Sequence, residues 1–538
     1  MTGRSSTSTR SRKGGCAQGV QPGLLSIPKG SGDSQFATAH LLTDLKSRTV
    51  SSGIISAATQ GAELLLNLGA IMVLARLLLP SDFGLVAMVT GITGILWVFK
   101  EAGLSTATVQ RHDITHAQVS NLFWINVAVS GSAGLVLAAC APAIAWFYGR
   151  SSLVGVTVAL SSTFVLNGLA VQHLALLKRQ MRFTAIGVIR VGSAIIGAGV
   201  GVAMALLKFG YWSLVGYQIA VTLTAVVLTW TASRWRPGRP VRASGTWPLL
   251  TFGVDVSISA LIYSVARGVD GVLVGKWYGA QPLGLYSRAA ALLLRPLDQF
   301  MGPLNAIFVP VLSRLQSHPE RYRRSFLQVH DAVSLAGCLI AGLFLPLSQP
   351  LTIAVLGSQW QEAAAIFAPF TIAALFLPLC SVASWLFASQ GRGRDWLRAS
   401  LLVSLLTISS FLAGLPWGPS GVAVAYSLCG VLVVLPSVYC IAGRTGPVRS
   451  TELLLGFVRH LPVWGAVSGA TWLARTWLVE QSPLIQLCVS APIGLFAGAA
   501  VIVTLAPSRR TVLSLLEALQ ELRRSHSRHA AEVTARLS

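Results

Sequence analysis

Long apolar runs are the feature of this sequence that most limits how the chain can fold. About fourteen stretches of roughly 20 or more mostly apolar residues follow one another between residues 52 and 506. A helix of about 20 residues spans the roughly 30 Å hydrocarbon core of a bilayer, because it rises about 1.5 Å per residue. In lipid, an open chain satisfies all its backbone polar groups only as helices. The sequence therefore predicts an all-α polytopic membrane protein.

The predicted spans are separated by short connections, which leave no room for a large enzyme domain outside the membrane. They lie near residues 52–75, 83–103, 121–147, 153–177, 186–207, 211–232, 249–274, 282–308, 329–356, 363–388, 398–416, 419–442, 454–478 and 484–506.

Composition agrees with a membrane protein and excludes an ordinary soluble one. Hydrophobic residues make up 53% of the 538 residues and charged residues only 11%, whereas soluble domains carry about 25% charged residues. The seven cysteines are scattered without a CxxC pair, so neither a disulfide framework nor a zinc site is indicated. No metal or other cofactor is expected.

The net charge of +23 is interpreted as a signal of membrane topology. With both termini on one side, 31 of the 41 Lys and Arg residues lie on that side and only 4 lie opposite, at Arg76, Arg150, Lys208 and Lys276. The positive-inside rule then places both termini in the cytoplasm. Because the basic residues form no single patch on a folded domain, nucleic acid is not an expected partner.

A weak internal repeat appears when the chain is compared with itself at a shift of 200 residues. Arg76 then meets Lys276, and Gly84 meets Gly284. Since 200 residues contain six predicted spans, the repeat predicts two six-helix bundles of the same orientation, related by an axis along the membrane normal. The predicted domains are a disordered basic tail (1–48), the two bundles (49–245 and 246–445), two further spans (446–507) and an amphipathic basic tail (508–538).

Several motifs in the two predicted bundles resemble those of a known transporter family. They are ARLLLPSDFGLVAM from Ala75, EAGLSTATVQ from Glu101, QVSNLFWIN from Gln118, GYWSLVGYQ from Gly210 and LGLYSRAAALLLRPLDQF from Leu283. Together they resemble Wzx-type polysaccharide flippases of the multidrug/oligosaccharidyl-lipid/polysaccharide exporter superfamily. The resemblance implies two bundles around a cavity that opens alternately to each side of the bacterial cytoplasmic membrane. It also implies a polyprenyl-diphosphate-linked oligosaccharide as cargo, with membrane lipids and the polysaccharide polymerase and export machinery as further partners.

Arginines within the predicted spans are the candidates for binding that cargo. Arg267, Arg288 and Arg295 lie on the seventh and eighth spans, and Arg288 and Arg295 are seven residues apart, on one helix face. A charge within a span usually faces the bundle interior because exposure to hydrocarbon is costly. Arginine also pairs bidentately with phosphate. The alternatives are that Arg288 extends its charged end to the membrane interface, or that these arginines neutralise Asp270 and Asp298 in a structural role.

Carboxylates within the spans are the candidates for ion coupling. They are Glu63, Asp255, Asp270 and Asp298, any of which could bind and release a proton or help to hold a sodium ion. Asp270 and Asp298 each lie one helical turn from an arginine, so structural pairing is the alternative for them. Glu63 has no basic residue within a turn; its alternative role is a hydrogen-bonded contact between helices.

Two other functions compete with a flippase. A drug/ion antiporter of the same superfamily predicts an acidic cavity for cationic drugs, whereas these spans carry several arginines. A membrane glycosyltransferase or polymerase predicts a large outer loop or acidic metal-binding motifs, and the outward connections here are only a few residues long. No P-loop is present, so this chain is not expected to hydrolyse ATP.

Overall fold

The protein is helical throughout the part of the chain that its structure, a computed structural model, describes: residues 45–101, 108–109, 114–241, 268–517 and 520. No strand occurs in these ranges, so the predicted all-α class is confirmed. Residues 1–44 of the predicted tail and most of the seventh predicted span lie outside the described residues.

The first half of the chain forms seven described helices. They are α1 (Leu45–Leu77), α2 (Pro80–Glu101), α3 (His116–Ala139), α4 (Ala141–Tyr148), α5 (Ser152–Arg179), α6 (Phe183–Leu206) and α7 (Trp212–Ser233).

The second half begins with a helical segment, α8 (268–278), whose start lies outside the described residues. The helices that follow are α9 (Ala280–Arg314), α10 (Pro319–Phe344), α11 (Ser348–Leu356), α12 (Ala363–Thr371), α13 (Ala373–Ser389), α14 (Gly393–Gly414), α15 (Gly418–Cys429), α16 (Leu435–Ala442), α17 (Ser450–Val458), α18 (Leu461–Trp477) and α19 (Pro483–Thr504). A last helix, α20, covers residues 506–517.

Nine helical stretches among the described residues are long and apolar enough to cross a membrane, and α12 with α13, bent by 44°, makes a tenth. Multiple membrane passes are therefore established, while the number fourteen stays a prediction.

Several predicted spans are interrupted, and prolines accompany the interruptions because proline lacks a backbone N–H and clashes with the preceding helical turn. The prolines are Pro142 at the start of α4, Pro346 between α10 and α11, Pro369 near the end of α12, and Pro436 at the start of α16.

Small residues bring the helices of the first half close together. A Cβ atom added at Gly197 of α6 would lie 2.2 Å from Cγ2 of Val221 on α7, and one at Gly201 would lie 2.9 Å from Cβ of Tyr217. Helices in membranes commonly pack through such small residues, which let the backbones approach. The contact places α7 beside α6, and α6 also packs against α1.

The two halves meet along α2 and α9. The largest buried apolar cluster includes residues of both halves, among them Leu74 and Phe83 from the first and Leu283, Tyr286 and Trp360 from the second. The halves therefore share one continuous core at this contact.

The connections between helices gather at two ends of the bundle. One end, here called the basic end, carries the connections 180–182, 234–241, 315–318, 390–392 and 443–449. The opposite end carries 78–79, 149–151, 207–211, 357–362 and 415–417. Lys208 lies within an opposite-end connection, whereas the single connection 234–241 holds three arginines.

The segment that leaves the first half, residues 234–241, lies across the start of α3 and is held by hydrogen bonds. The Asn121 side chain donates to the carbonyl of Val241 (2.7 Å) and accepts from its N–H (2.9 Å). Ser120 Oγ accepts from the N–H of Gly238 (2.9 Å), and the Trp124 indole donates to the Gly238 carbonyl (2.9 Å). The QVSNLFWIN motif therefore anchors this segment.

The last helices pack on α10. A Cβ at Gly342 would lie 2.9 Å from Cβ of Val467 on α18, and Ser468 donates to the Gly342 carbonyl (3.2 Å). In α20, Val512 packs on the buried cluster that contains Leu335 and Val463. The described part of the amphipathic tail thus packs on the helices at the basic end, and the rest of the tail lies outside the described residues.

Candidate functional site

A polar stripe runs along α1 in the middle of the first half. Gln60, Glu63 and Asn67 occur at spacings of three and four residues, so they share one helix face. Glu63 and Asn67 have side-chain partners on α6 and α7. The Gln60 carbonyl accepts from Gln299 of α9, while the Gln60 side chain donates to Ser56 of the same helix. The stripe therefore faces neighbouring helices and not the surrounding lipid.

Glu63 forms an ion pair with Arg190 of α6. The Oε2 atom of Glu63 lies 3.8 Å from an Nη atom of Arg190, and 29% and 41% of the two side chains are exposed. The two residues are 127 positions apart in the sequence, so the residues within one helical turn of Glu63 do not reveal this partner. Glu63 thus makes an interhelical ion pair, and its role in ion coupling stays a prediction.

Tyr217 of α7 extends the polar site. Its hydroxyl donates to Oδ1 of Asn67 (2.8 Å). Glu63, Arg288 and Arg295 all lie close enough to act electrostatically on this hydroxyl. The Tyr217 hydroxyl therefore lies close to three of the predicted site residues, Glu63, Arg288 and Arg295.

The arginines of α9 form the opposing side of the site. Arg288 and Arg295 lie on one face, followed by Gln299, which donates to the Gln60 carbonyl of α1 (3.3 Å). The Arg288 guanidinium lies 5.1 Å from the ring centroid of Phe83 on α2, a cation–π distance. Its Nε is buried and has no hydrogen-bond partner among the described residues. Arg288 therefore has unused donor capacity.

Like charges meet in this region. Arg288 and Arg295 repel each other electrostatically, and Arg295 and Asp298 are both exposed on α9. Three arginines, 190, 288 and 295, and one glutamate approach the site from α1, α6 and α9. An anion placed here would reduce the repulsion between Arg288 and Arg295.

Asp270, on α8, is held in a separate contact. Its Oδ2 accepts from the hydroxyl of Tyr286 (2.9 Å), which is buried, and its Oδ1 accepts from the N–H of Gly271 (2.7 Å). Two other predicted site residues, Arg267 and Asp255, lie outside the described residues. Their roles stay predictions, as does the ion-coupling role of Asp298.

Sequence reasoning missed four side chains of this region: Arg190, Asn67, Tyr217 and Tyr286. Arg190 lies within the predicted span 186–207, but no residue near it in the sequence indicates its partner. The tyrosines and Asn67 gave no signal of their own, because such residues are frequent in membrane helices for other reasons.

A cavity of about 310 Å³ lies between α2, α5 and α7 in the first half. Its lining includes three threonine hydroxyls and one amide: Thr90, Thr93, Thr163 and Gln218. Gln218 directly follows Tyr217 in the chain. Within the described residues, no group of three or more His, Cys, Asp or Glu side chains could hold a metal ion.

This chain is similar in sequence to proteins named for polysaccharide biosynthesis. It is 24% identical over 298 residues to the teichuronic acid biosynthesis protein TuaB of Bacillus subtilis (strain 168), over 54% of this chain and 61% of TuaB. It is 20% identical over 460 residues to the lipopolysaccharide biosynthesis protein WzxC of Escherichia coli (strain K12), over 84% of this chain and 88% of WzxC. The chain thus spans about three fifths of TuaB and most of WzxC.

The fold is that of a solved transporter. The lipid II flippase MurJ, in an inward closed conformation, superposes with a TM-score of 0.66 at 15% sequence identity, over 84% of this chain and 99% of MurJ. The model of the family described as "Polysaccharide biosynthesis protein" matches residues 73–365, more than half of the chain. The resemblance found in the sequence motifs is therefore confirmed, and the chain is a member of this polysaccharide biosynthesis protein family.

Proposed function

We propose that this protein moves a polyprenyl-diphosphate-linked oligosaccharide across the bacterial cytoplasmic membrane by alternating access, for the assembly of exopolysaccharide, capsule or O-antigen. The observation that carries the proposal is the pair Arg288 and Arg295, two mutually repelling cations on one face of α9 beside the polar stripe of α1. Arginine keeps its charge and binds phosphate bidentately. The negative charge of a diphosphate would neutralise the two positive charges of this pair.

The names of the relatives agree with such a cargo. TuaB and WzxC are named for teichuronic acid and lipopolysaccharide biosynthesis, and MurJ is named a lipid II flippase. In this proposal the chain itself carries out transport and no covalent chemistry, so it is not an enzyme and requires no cofactor.

The basic end faces the cytoplasm in this proposal, with both termini on that side. Cargo enters from that end, and its diphosphate binds Arg288 and Arg295, with Arg267 as a third cation. The sugar hydroxyls then bind the neutral polar groups beside them, on Asn67, Tyr217 and Gln299. Membrane lipids surround the bundle, and the polymerase and export machinery receive the cargo on the far side.

Glu63 and Arg190 provide a means of coupling. While Glu63 is ionised, it partly neutralises Arg190 at 3.8 Å. Protonation of Glu63 would leave Arg190 uncompensated and would increase the positive charge available to the cargo. Proton binding and cargo binding therefore favour each other, because such coupling is reciprocal. Asp255, Asp270 and Asp298 are further candidates for binding the coupling ion.

Deletion of the gene in its host tests the proposal. We expect loss of surface polysaccharide together with accumulation of lipid-linked repeat units on the cytoplasmic face. Complementation with Arg295→Ala should fail although the variant reaches the membrane at normal level, whereas Arg314→Ala, on the same helix but beyond the site, should restore export. Normal polysaccharide combined with increased sensitivity to cationic drugs would instead indicate a drug/ion antiporter.

A further inference from the structure

The two halves make their tightest contact near the opposite end, and the contact has a two-fold character. A Cβ atom added at Gly84 of α2 would lie 1.7 Å from the carbonyl oxygen of Ala280, and one added at Gly284 of α9 would lie 1.8 Å from that of Pro80. These pairs are related by the 200-residue shift of the repeat, since 80 corresponds to 280 and 84 to 284. The contact is therefore its own image under the repeat.

Two cations repeat the same pattern. Arg76, near the end of α1, donates to the carbonyl of Ala354 in the second half (2.8 Å). Lys276, near the end of α8, donates to the carbonyl of Phe147 in the first half and lies 4.7 Å from the Phe147 ring centroid. Each cation thus reaches from its own half to a backbone carbonyl of the other half, and the two are again 200 residues apart.

Residues after α11 strengthen this closure from one side. The Trp360 indole donates to the carbonyl of Ala75 (2.8 Å), and the Gln359 amide donates to that of Leu78 (3.1 Å). Ala75 lies in the last turn of α1 and Leu78 directly follows the helix, where no N–H of the same helix remains to bind their carbonyls. Trp360 also packs edge-on against Phe83, with ring centroids 5.2 Å apart.

The chemistry of this contact allows it to open. The cations bind backbone carbonyls and not carboxylates, and the side chains of Arg76 and Lys276 are exposed. When the halves separate, the hydrogen bonds between these cations and carbonyls can be replaced by hydrogen bonds to water. The free-energy cost is small, because exposed charges are well solvated. The glycine contacts hold the backbones together without interlocking side chains.

We propose that Arg76, Gly84, Lys276 and Gly284 form a two-fold lock that closes the opposite end, with Arg76 and Lys276 as latches that set how often this end opens. The role of the lock in transport rests on the alternating access proposed above. The existence of the lock does not depend on that proposal, because its opening is measured as a distance between the two halves in the absence of cargo.

The test is the distance between the halves at the opposite end of the full-length protein in lipid nanodiscs. Spin labels are placed at positions 209 and 417, which are exposed and lie in different halves, in a variant whose native cysteines are replaced. Double electron–electron resonance spectroscopy then gives the distribution of distances between the two labels. We expect Arg76→Gln/Lys276→Gln to raise the long-distance population at least about threefold, and Gly84→Val to do the same because its side chain has no space.

Two control variants match these changes. Arg150→Gln/Lys208→Gln removes the same charge at the same end without removing a latch, and Gly91→Ala adds a methyl group to α2 where the nearest atom is 3.8 Å away. Both should leave the distribution of the parent protein unchanged. An unchanged distribution in Arg76→Gln/Lys276→Gln would overturn the lock, even if Gly84→Val fails to fold. An equal shift in Arg150→Gln/Lys208→Gln would also overturn it, since a general charge effect would then suffice.

Discussion

Replacing Arg288 with glutamine should weaken the binding of a polyprenyl diphosphate without unfolding the protein. Arg288 lies 5.1 Å from the Phe83 ring centroid, and its Nε has no partner among the described residues. The substitution therefore breaks no ion pair in the described protein. It removes hydrogen-bond donors and one positive charge from the site.

The size of the effect follows from the contact that is lost. A hydrogen bond to a charged group contributes about 1.5–3 kcal/mol, and each 1.4 kcal/mol changes the dissociation constant about tenfold. Arg288→Gln should therefore weaken binding about 10- to 100-fold, and so should Arg295→Gln. The two losses should not add fully, because the guanidinium groups already repel each other.

The assay is equilibrium binding of a fluorescent polyprenyl diphosphate to purified protein in nanodiscs. Arg314→Gln is the matched control, because Arg314 is exposed at the far end of the same helix. The uncharged polyprenol is the control ligand and should bind all variants alike. Affinities of Arg288→Gln and Arg295→Gln within twofold of the parent would refute the assignment of the diphosphate to these arginines.

Three further predictions follow from contacts around the site. Glu63→Gln should bind the diphosphate about two- to fivefold more tightly and lose proton uptake on binding, which calorimetry in buffers of different ionisation enthalpy would detect; unchanged proton uptake would contradict the coupling role. Tyr286→Phe should reduce stability by about 1–2 kcal/mol, because Asp270 loses a donor at 2.9 Å; an unchanged midpoint of thermal unfolding would count against it. Asn121→Ala should accelerate hydrogen exchange at the Val241 amide about tenfold or more, and equal protection would show that this hydrogen bond does not hold the segment.

The sequence predicted those features that depend on local pattern. Apolar runs of about 20 residues located the helices, since membrane insertion requires them whatever the tertiary arrangement. The seven-residue spacing of Arg288 and Arg295 correctly put both on one face of α9. The prolines at the interruptions were visible, but whether a proline kinks a membrane helix or divides it depends on its neighbours.

Contacts between helices that are far apart in the chain could not be predicted from the sequence. The partner of Glu63 is Arg190, and nothing local to either residue indicates that α1 and α6 pack together. The repeat equated Arg76 with Lys276, yet an equivalence between positions gives no distance and did not reveal that each reaches the other half. Arg267 and Asp255 lie outside the described residues and stay predictions.

Transport by the purified protein is the most direct test of the central claim. Liposomes are prepared with a fluorescent polyprenyl-diphosphate-linked oligosaccharide in both leaflets, and a membrane-impermeant quencher is added outside. With the parent protein, quenching should continue beyond the outer-leaflet half as inner-leaflet cargo is moved outward, and Arg288→Gln/Arg295→Gln should stop near half. Quenching that stops near half with correctly folded parent protein, or that proceeds equally in the double variant, would contradict transport of the diphosphate cargo through this site.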